Sequence, residues 1–296
     1  TSLLAVKGKK DIDIAQVILD DKASLMTMTA ITETQQPLPL HNLTRSGAQE
    51  RGAQYQPNGD YIAFISDTSG QDELWLWHPE QGNGQAIQLS FLSSQTGIKY
   101  FSWSPDGQRL AWVSDDKLVI TDLEGKVRVV DNGKPLDTVA TWYDDNQLLV
   151  LINDPVPSGL YRLSLDSTNA RDNNKTVKAS ELIAFNINHV EATWVIQNQL
   201  IYSTINGEVF TRSLNTKNAE VKRLPELNGK ALFVSGGLIY SVNQENLMLS
   251  QYGLQGQLIQ PITPLNAFAW KVSGLKNNSL LLSKFVAINH DIVTLH

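Results

Sequence analysis

The sequence contains no cysteine, which rules out disulfide frameworks, thiolate zinc sites and a cysteine nucleophile together. That absence suits an oxidising compartment without requiring one. Charge is also scarce: Asp, Glu, Lys and Arg make up 18% of 296 residues, below the usual quarter. Asn, Gln, Ser and Thr fill the surface instead. Positive charge is the scarcer sign, with 24 Lys and Arg against 30 Asp and Glu and a formal net charge of −6. The densest basic stretch, Lys7–Lys10, is short, so no nucleic-acid partner is expected and no anionic lipid surface. No run of about 18 apolar residues occurs, so no segment reads as spanning a membrane. The chain begins at Thr1 without a signal-peptide pattern and reads as a processed form or a fragment of a longer protein.

What is present is a repeat. Six aromatic residues, Tyr55, Trp103, Trp142, Trp194, Phe233 and Trp270, are spaced 48, 39, 52, 39 and 37 residues apart. Each stands before a turn and a short apolar strand, as in YQPNGDYIAFIS, WSPDGQRLAWVS and WYDDNQLLVLIN. A period near 40 residues with several strands per unit is the sequence mark of a β-propeller blade. Three further strands follow each aromatic. In the second unit they are Arg109–Ser114, Lys117–Leu123 and Val127–Val130; in the fifth, Leu238–Val242, Asn246–Gly253 and Leu258–Pro264. Ser104-Pro105-Asp106-Gly107 supplies the turn chemistry, with proline where φ is near −65° and glycine where φ becomes positive.

The sixth unit ends early. After Trp270 come Ser279–Phe285 and Asp291–His296, one strand short of a blade, and Gln36–Thr44 resembles the missing fourth strand. The reading is therefore an all-β, six-bladed β-propeller of four-stranded antiparallel blades over residues 31–296, its last blade completed by an N-terminal strand. Residues 1–30 read as a connector or extra strand packing on the propeller: Asp11–Asp20 as a helical turn or a strand, Ser24–Ile31 as a strand. The polar insertion Ser167–Lys175 reads as a loop.

The stretch Asn42–Ser66 resembles the TolB-type propeller repeat, with its leading Leu-Thr, a Gly, an aromatic, a Pro-Asp-Gly-like turn and an Ile-Ala-Phe strand; Phe101–Ser114 resembles it more closely. The other four units keep the aromatic and the strand and lose Pro-Asp-Gly, so two repeats of six carry the likeness. The resemblance implies a fold reused in periplasmic TolB, in peptidase-linked propellers, in some polysaccharide lyases, and in the extracytoplasmic halves of CadC/ToxR-like membrane-bound transcriptional regulators. The sequence looks most like that last half: a periplasmic, non-enzymatic sensing domain, held at the membrane only through a segment outside this sequence. A TolB-like protein-interaction module is the alternative, and a propeller lyase or hydrolase-associated domain the second.

The residues point to no chemistry of their own. No G-x-S-x-G elbow occurs. The histidines His41, His78, His189, His290 and His296 form no H-x-H or H-x-x-x-H, so no local metal site is expected, and neither is a cofactor or a catalytic residue. Acidic residues such as Asp67, Asp72, Asp115, Asp116 and Asp154 lack the order of a calcium loop and read as turn formers. Trp75 and Trp77 alternate with leucines and read as packing between blades. A protein or small-molecule signal is expected at one mouth of the central channel, where the inner strands begin. The positions before each aromatic map that rim: Glu50, Arg51, Lys99, Tyr100, Asp137, His189, Glu191, Lys230 and Asn266.

Overall fold

A computed structural model describes residues 2–7, 12–29, 40–44, 48–80, 85–92, 97–130, 132–152, 159–165, 179–185, 190–216, 219–265, 270–277 and 279–294. For 2–7, 12–29, 40–42, 138–139, 179–185, 270–271 and 284–294 the description is of the backbone alone. The N-terminal part forms β1 (Ser2–Lys7), β2 (Ile12–Thr29) and β3 (Leu40–Asn42). Five antiparallel four-stranded meanders follow. The first is β4 (Glu50–Tyr55), β5 (Ile62–Ser66), β6 (Glu73–Trp77) and β7 (Ile87–Gln88). The second is β8 (Phe101–Trp103), β9 (Arg109–Ser114), β10 (Lys117–Asp122) and β11 (Val127–Val130). The third is β12 (Leu136–Asp144), β13 (Gln147–Ile152), β14 (Gly159–Ser164) and β15 (Ala179–Phe185). The fourth is β16 (Val190–Ile196), β17 (Gln199–Thr204), β18 (Val209–Ser213) and β19 (Lys222–Arg223). The fifth is β20 (Leu232–Ser235), β21 (Leu238–Val242), β22 (Met248–Tyr252) and β23 (Leu258–Pro264).

The second strand of each meander is apolar on both faces, which suits a strand covered on both sides. Every residue of β5 is buried, and so are five of the six in β13. What covers them is the neighbouring sheet. Ile65 and Leu74 pack with Phe101, Trp103 and Trp112 between the first and second sheets. Ala111 and Leu118 meet Trp142 and Leu148 between the second and third. Leu149 and Leu160 meet Leu200 and Tyr202 between the third and fourth. Ile201 and Val209 join Leu232 and Ile239 between the fourth and fifth. Each fully buried side chain of this size contributes roughly 1.5–3 kcal/mol, so the core is a ring of inter-sheet layers. Trp75 and Trp77 belong to it, half-buried beside Ala53, Phe64 and Leu281 between the last sheet and the first.

The last sheet is built by both ends of the polypeptide and differs from the sequence expectation. β24 (Trp270–Lys276) pairs with β25 (Ser279–Thr294), β25 with β2, and β2 with both β1 and β3. Asp291 to Thr294 do not form a separate strand; they continue β25. No Gly or Pro stands between Phe285 and Asp291 to turn the backbone, and the ladder shows only a register shift between the Leu19–His290 and Asp21–Ala287 pairs. The third place is taken by β2, from Thr29 opposite Ser279 to Ser24 opposite Lys284. Leu40–Asn42, inside the segment expected to complete the blade, pairs with Met26–Met28 as β3. Three N-terminal strands, β1, β2 and β3, therefore join a five-stranded sheet where one was expected to complete four. Ser167–Lys175 lies outside the described residues.

Candidate binding channel

One strand from each of the six sheets faces the centre: β4, β8, β12, β16, β20 and β24. Together they enclose a channel of about 780 Å³. The repeated aromatic and the residue before it explain how the wall is held. The aromatic reaches back: Trp103 Nε1 donates to Gln54 O at 3.4 Å, and Trp142 Nε1 to Ser102 O at 3.2 Å. The preceding residue reaches forward: Gln54 Nε2 donates to Phe101 O at 2.9 Å, Ser102 Oγ to Ala140 O at 2.8 Å, and Thr141 Oγ1 to Thr193 O at 3.1 Å. Tyr55 closes the same circuit on the last sheet, its hydroxyl donating to Ser279 O at 3.3 Å. Burial and then this bond act on that phenol, and the net shift of its pKa is upward. The mid-channel wall is thus neutral, its dipoles committed to neighbouring strands.

One mouth is formed by the tight turns after the inner strands, and these are tied to one another. Gln56 Nε2 donates to Gly107 O at 2.8 Å. Asp106 N donates to Asp145 Oδ1 at 3.0 Å, and Arg109 Nη2 to Asp145 O at 2.6 Å. The Arg109 guanidinium lies 4.9 Å from the centre of the Trp142 ring. Lys276 Nζ donates to Gly59 O and stands 3.6 Å from Asp60 Oδ1. Asp106 also accepts from the Ser104 hydroxyl and from Gln108 N. Burial raises its pKa, and the bonds from Ser104 and Gln108 with the Arg109 charge outweigh it, leaving the carboxyl below its usual range. These bonds brace the turns of the last, first, second and third sheets against one another.

The opposite mouth is where the sequence placed its rim. Tyr100, Glu191 and Lys230 line the channel there. The Tyr100 hydroxyl donates to Glu191 Oε1 at 3.3 Å, linking the second sheet to the fourth. Burial, then the Glu191 charge and this bond, push the phenol up, so it stays a donor at neutral pH. Lys230 rides on a 3-10 turn, Gly229–Ala231, capped by Asn228, whose Oδ1 accepts from Lys230 N at 3.2 Å. The other expected positions sit apart. Arg51 makes two 2.7 Å bonds to Asp72 and a 2.9 Å bond to Ile98 O, behind the lining. Glu50 is buried and accepts from the Thr44 hydroxyl, so it is not a rim residue. Lys99 is exposed, and Asp137 is half-buried at the start of β12; neither lines the channel. His189 and Asn266 lie outside the described residues. Asn228 was legible only as part of an Asn-Gly turn signal, and Ser203, which also lines the channel, carried no signal. Among the described residues no group of three or more His, Asp or Glu gathers as a metal site.

No protein-family model and no curated protein matches the sequence. The fold does have likenesses. A putative TolB from Agrobacterium tumefaciens is similar at a TM-score of 0.58 and 10% identity, over 91% of this chain and 100% of that one. The protein is a β-propeller. A gluconolactonase from Xanthomonas campestris shares the fold at a TM-score of 0.58 and 12% identity, over 97% of this chain and 100% of that one. TolB from Acinetobacter baumannii does so at 0.56 and 13%, over 92% of this chain; the alignment spans 65% of that TolB. Identities this low carry the propeller fold and nothing finer. No helix among the described residues is long and apolar enough to cross a membrane.

Proposed function

We propose that this propeller is a TolB-like binding module acting outside the cytoplasm, taking an extended segment of a partner protein at the mouth marked by Tyr100, Glu191 and Lys230. In this reading the ring has six blades, the sheet built by both ends of the polypeptide being the sixth. The observation that carries the proposal is the contrast between the channel's two ends. At one mouth the turns are braced against their neighbours by Gln56, Asp106, Arg109 and Lys276. The other presents a carboxylate, a phenol and an ammonium on a channel of about 780 Å³, within the range of ligand pockets. The wall between them is neutral and its hydrogen bonds are internal, which supports binding over catalysis. The likeness to a gluconolactonase makes a catalytic channel the reading to be excluded by assay. A CadC-like regulator finds no support in these likenesses.

A photo-crosslinking residue placed in the full-length protein at Tyr100, and separately at Asn277 in the opposite, braced mouth, tests the proposal in the native host. A discrete protein adduct from position 100 and none from 277 is the expected outcome. Adducts from neither position, together with lactone hydrolysis by the purified protein, would overturn it.

A further inference from the structure

Asn-Gly pairs begin at Asn58, Asn83, Asn132, Asn206 and Asn228. In such a pair the glycine nitrogen can attack the side-chain amide before it, with no Cβ in the way. The attack needs a backbone N–H without another acceptor and an amide free to swing, and the pairs differ in both. Asn132 is buried, and its Oδ1 accepts from Lys134 N at 3.0 Å. Asn228 is held through both amide atoms: Oδ1 accepts from Lys230 N at 3.2 Å, and Nδ2 donates to Val242 O at 3.2 Å. Gly229 N, after it, donates to Gly207 O at 2.9 Å. Asn206 is exposed, but Gly207 N donates to Thr204 O at 2.8 Å. Asn83 lies outside the described residues.

Asn58 meets both conditions. It is exposed, its side chain makes no hydrogen bond among the described residues, and Gly59 N donates to none of them. The pair also stands at a joint. It lies inside the turn closed by Gln56 N to Tyr61 O at 2.8 Å, and Gly59 O accepts from the Lys276 ammonium of the last sheet.

We propose that Asn58 is a self-modification site whose conversion to isoaspartate unties the last sheet's turn from the first. Gly59 N gives its proton to solvent base and bonds to Asn58 Cγ, and the Cγ–NH₂ bond breaks to release ammonia. Water then opens the five-membered imide. Opening at Cγ leaves aspartate; opening at the main-chain carbonyl leaves isoaspartate, with the backbone routed through Cβ and Cγ. Water enters, ammonia leaves, and nothing is oxidised or reduced. Both products carry a new carboxylate. The isoaspartyl product also lengthens the turn by one backbone atom, which displaces Gly59 O from Lys276.

The test incubates the whole protein at mildly alkaline pH and follows Asn58, Asn132, Asn206 and Asn228 by peptide mapping, with electron-based fragmentation to tell isoaspartate from aspartate. Rates at 58 and 206 are each divided by that of the matching synthetic peptide, Tyr55–Tyr61 or Tyr202–Phe210, so that flanking sequence cancels. Asn58 should then convert roughly two- to tenfold faster than Asn206, the rate equivalent of the one hydrogen bond that Gly207 N must first give up. Asn132 and Asn228 should be slower still. Equal normalised rates at 58 and 206, or a faster Asn206, would overturn the site. The isoaspartyl form, separated by ion exchange, should melt below the unmodified protein, and by a smaller margin in the Lys276→Met background, where the bond is already absent. An equal fall in both backgrounds, or none in either, would overturn the link to Lys276.

Discussion

Glu73 offers the most exacting check on how the first sheet is held. Its side chain is 1% exposed, yet it is a carboxylate in an apolar layer. Three donors satisfy it: Gln71 Nε2 at 2.6 Å and Leu92 N at 2.7 Å reach Oε1, and the Ser90 hydroxyl reaches Oε2. Ser90 Oγ in turn accepts from Leu74 N at 2.8 Å. Among the described residues, Glu73→Ala removes the only acceptor for a fixed backbone N–H and a buried hydroxyl. Each orphaned donor costs about 1–3 kcal/mol, and Gln71 can turn away, so the loss is about 3–5 kcal/mol, as for breaking a buried charged pair. Glu73→Gln keeps the shape. Its carbonyl oxygen can still serve Gln71 and Leu92, and its NH₂ can donate to Ser90, which has a spare lone pair. Only the Ser90 donor and the charge assistance go, about 1–2 kcal/mol. Urea denaturation separates the two, since both variants should shift the midpoint at unchanged slope. Because Ser90 and Glu73 share one network, Glu73→Ala with Ser90→Ala should cost less than the two singles together. Equal losses for the Ala and Gln variants, or strict additivity of the double, would refute this account.

Four further outcomes follow from the geometry. Gly107 has φ +72° and its missing Cβ points into Pro57 O, whereas Gly236 has φ +56° and nothing within 4 Å. Gly236→Ala should therefore cost about 1–2 kcal/mol, the left-handed penalty alone, and Gly107→Ala distinctly more by urea denaturation. Trp142→Phe deletes the bond to Ser102 O and narrows a ring that is 4% exposed; thermal and urea unfolding should show a loss of about 2 kcal/mol. Asp106, whose carboxyl is lowered, stabilises the fold above its ordinary pKa and loses that contribution as pH falls through the lowered value. Carboxyl NMR should place its midpoint below that of a free aspartate, and Asp106→Asn should remove that part of the acid dependence. Tyr100→Phe should leave stability nearly unchanged, since the 3.3 Å bond to Glu191 is long and near solvent.

The architecture was legible because its cause is local. An aromatic, a turn residue and a β-branched or leucine-rich strand recur within a dozen residues, and Ser104-Pro105-Asp106-Gly107 folds by bonds among its own atoms, such as Gly107 N to Ser104 O at 2.8 Å. The site was legible only in part, because its causes are distant. Arg51 looks like a rim cation in sequence; Asp72, 21 residues on, draws it behind the wall. Nothing near Ser203 announces that its hydroxyl lacks, among the described residues, the bonds that Ser241 makes to Asn228, because the difference lies in which segment passes it. The closing sheet departs from expectation near Asn289, a residue type common in turns, which a long ladder with β2 absorbs as a shift of register.

That ladder sets the order in which the molecule can be finished. Met28 pairs with Leu280, a contact spanning about 250 residues, and long-range pairing of this kind is slow to form. During synthesis β2 is made well before β25, so five sheets can assemble while one edge of β2, whose other edge meets β1 and β3, waits for its partner. An unpaired strand is a template for other polypeptides. Until Ser279–Thr294 leave the ribosome the ring has two open edges, and the protein depends on that interval being short or guarded.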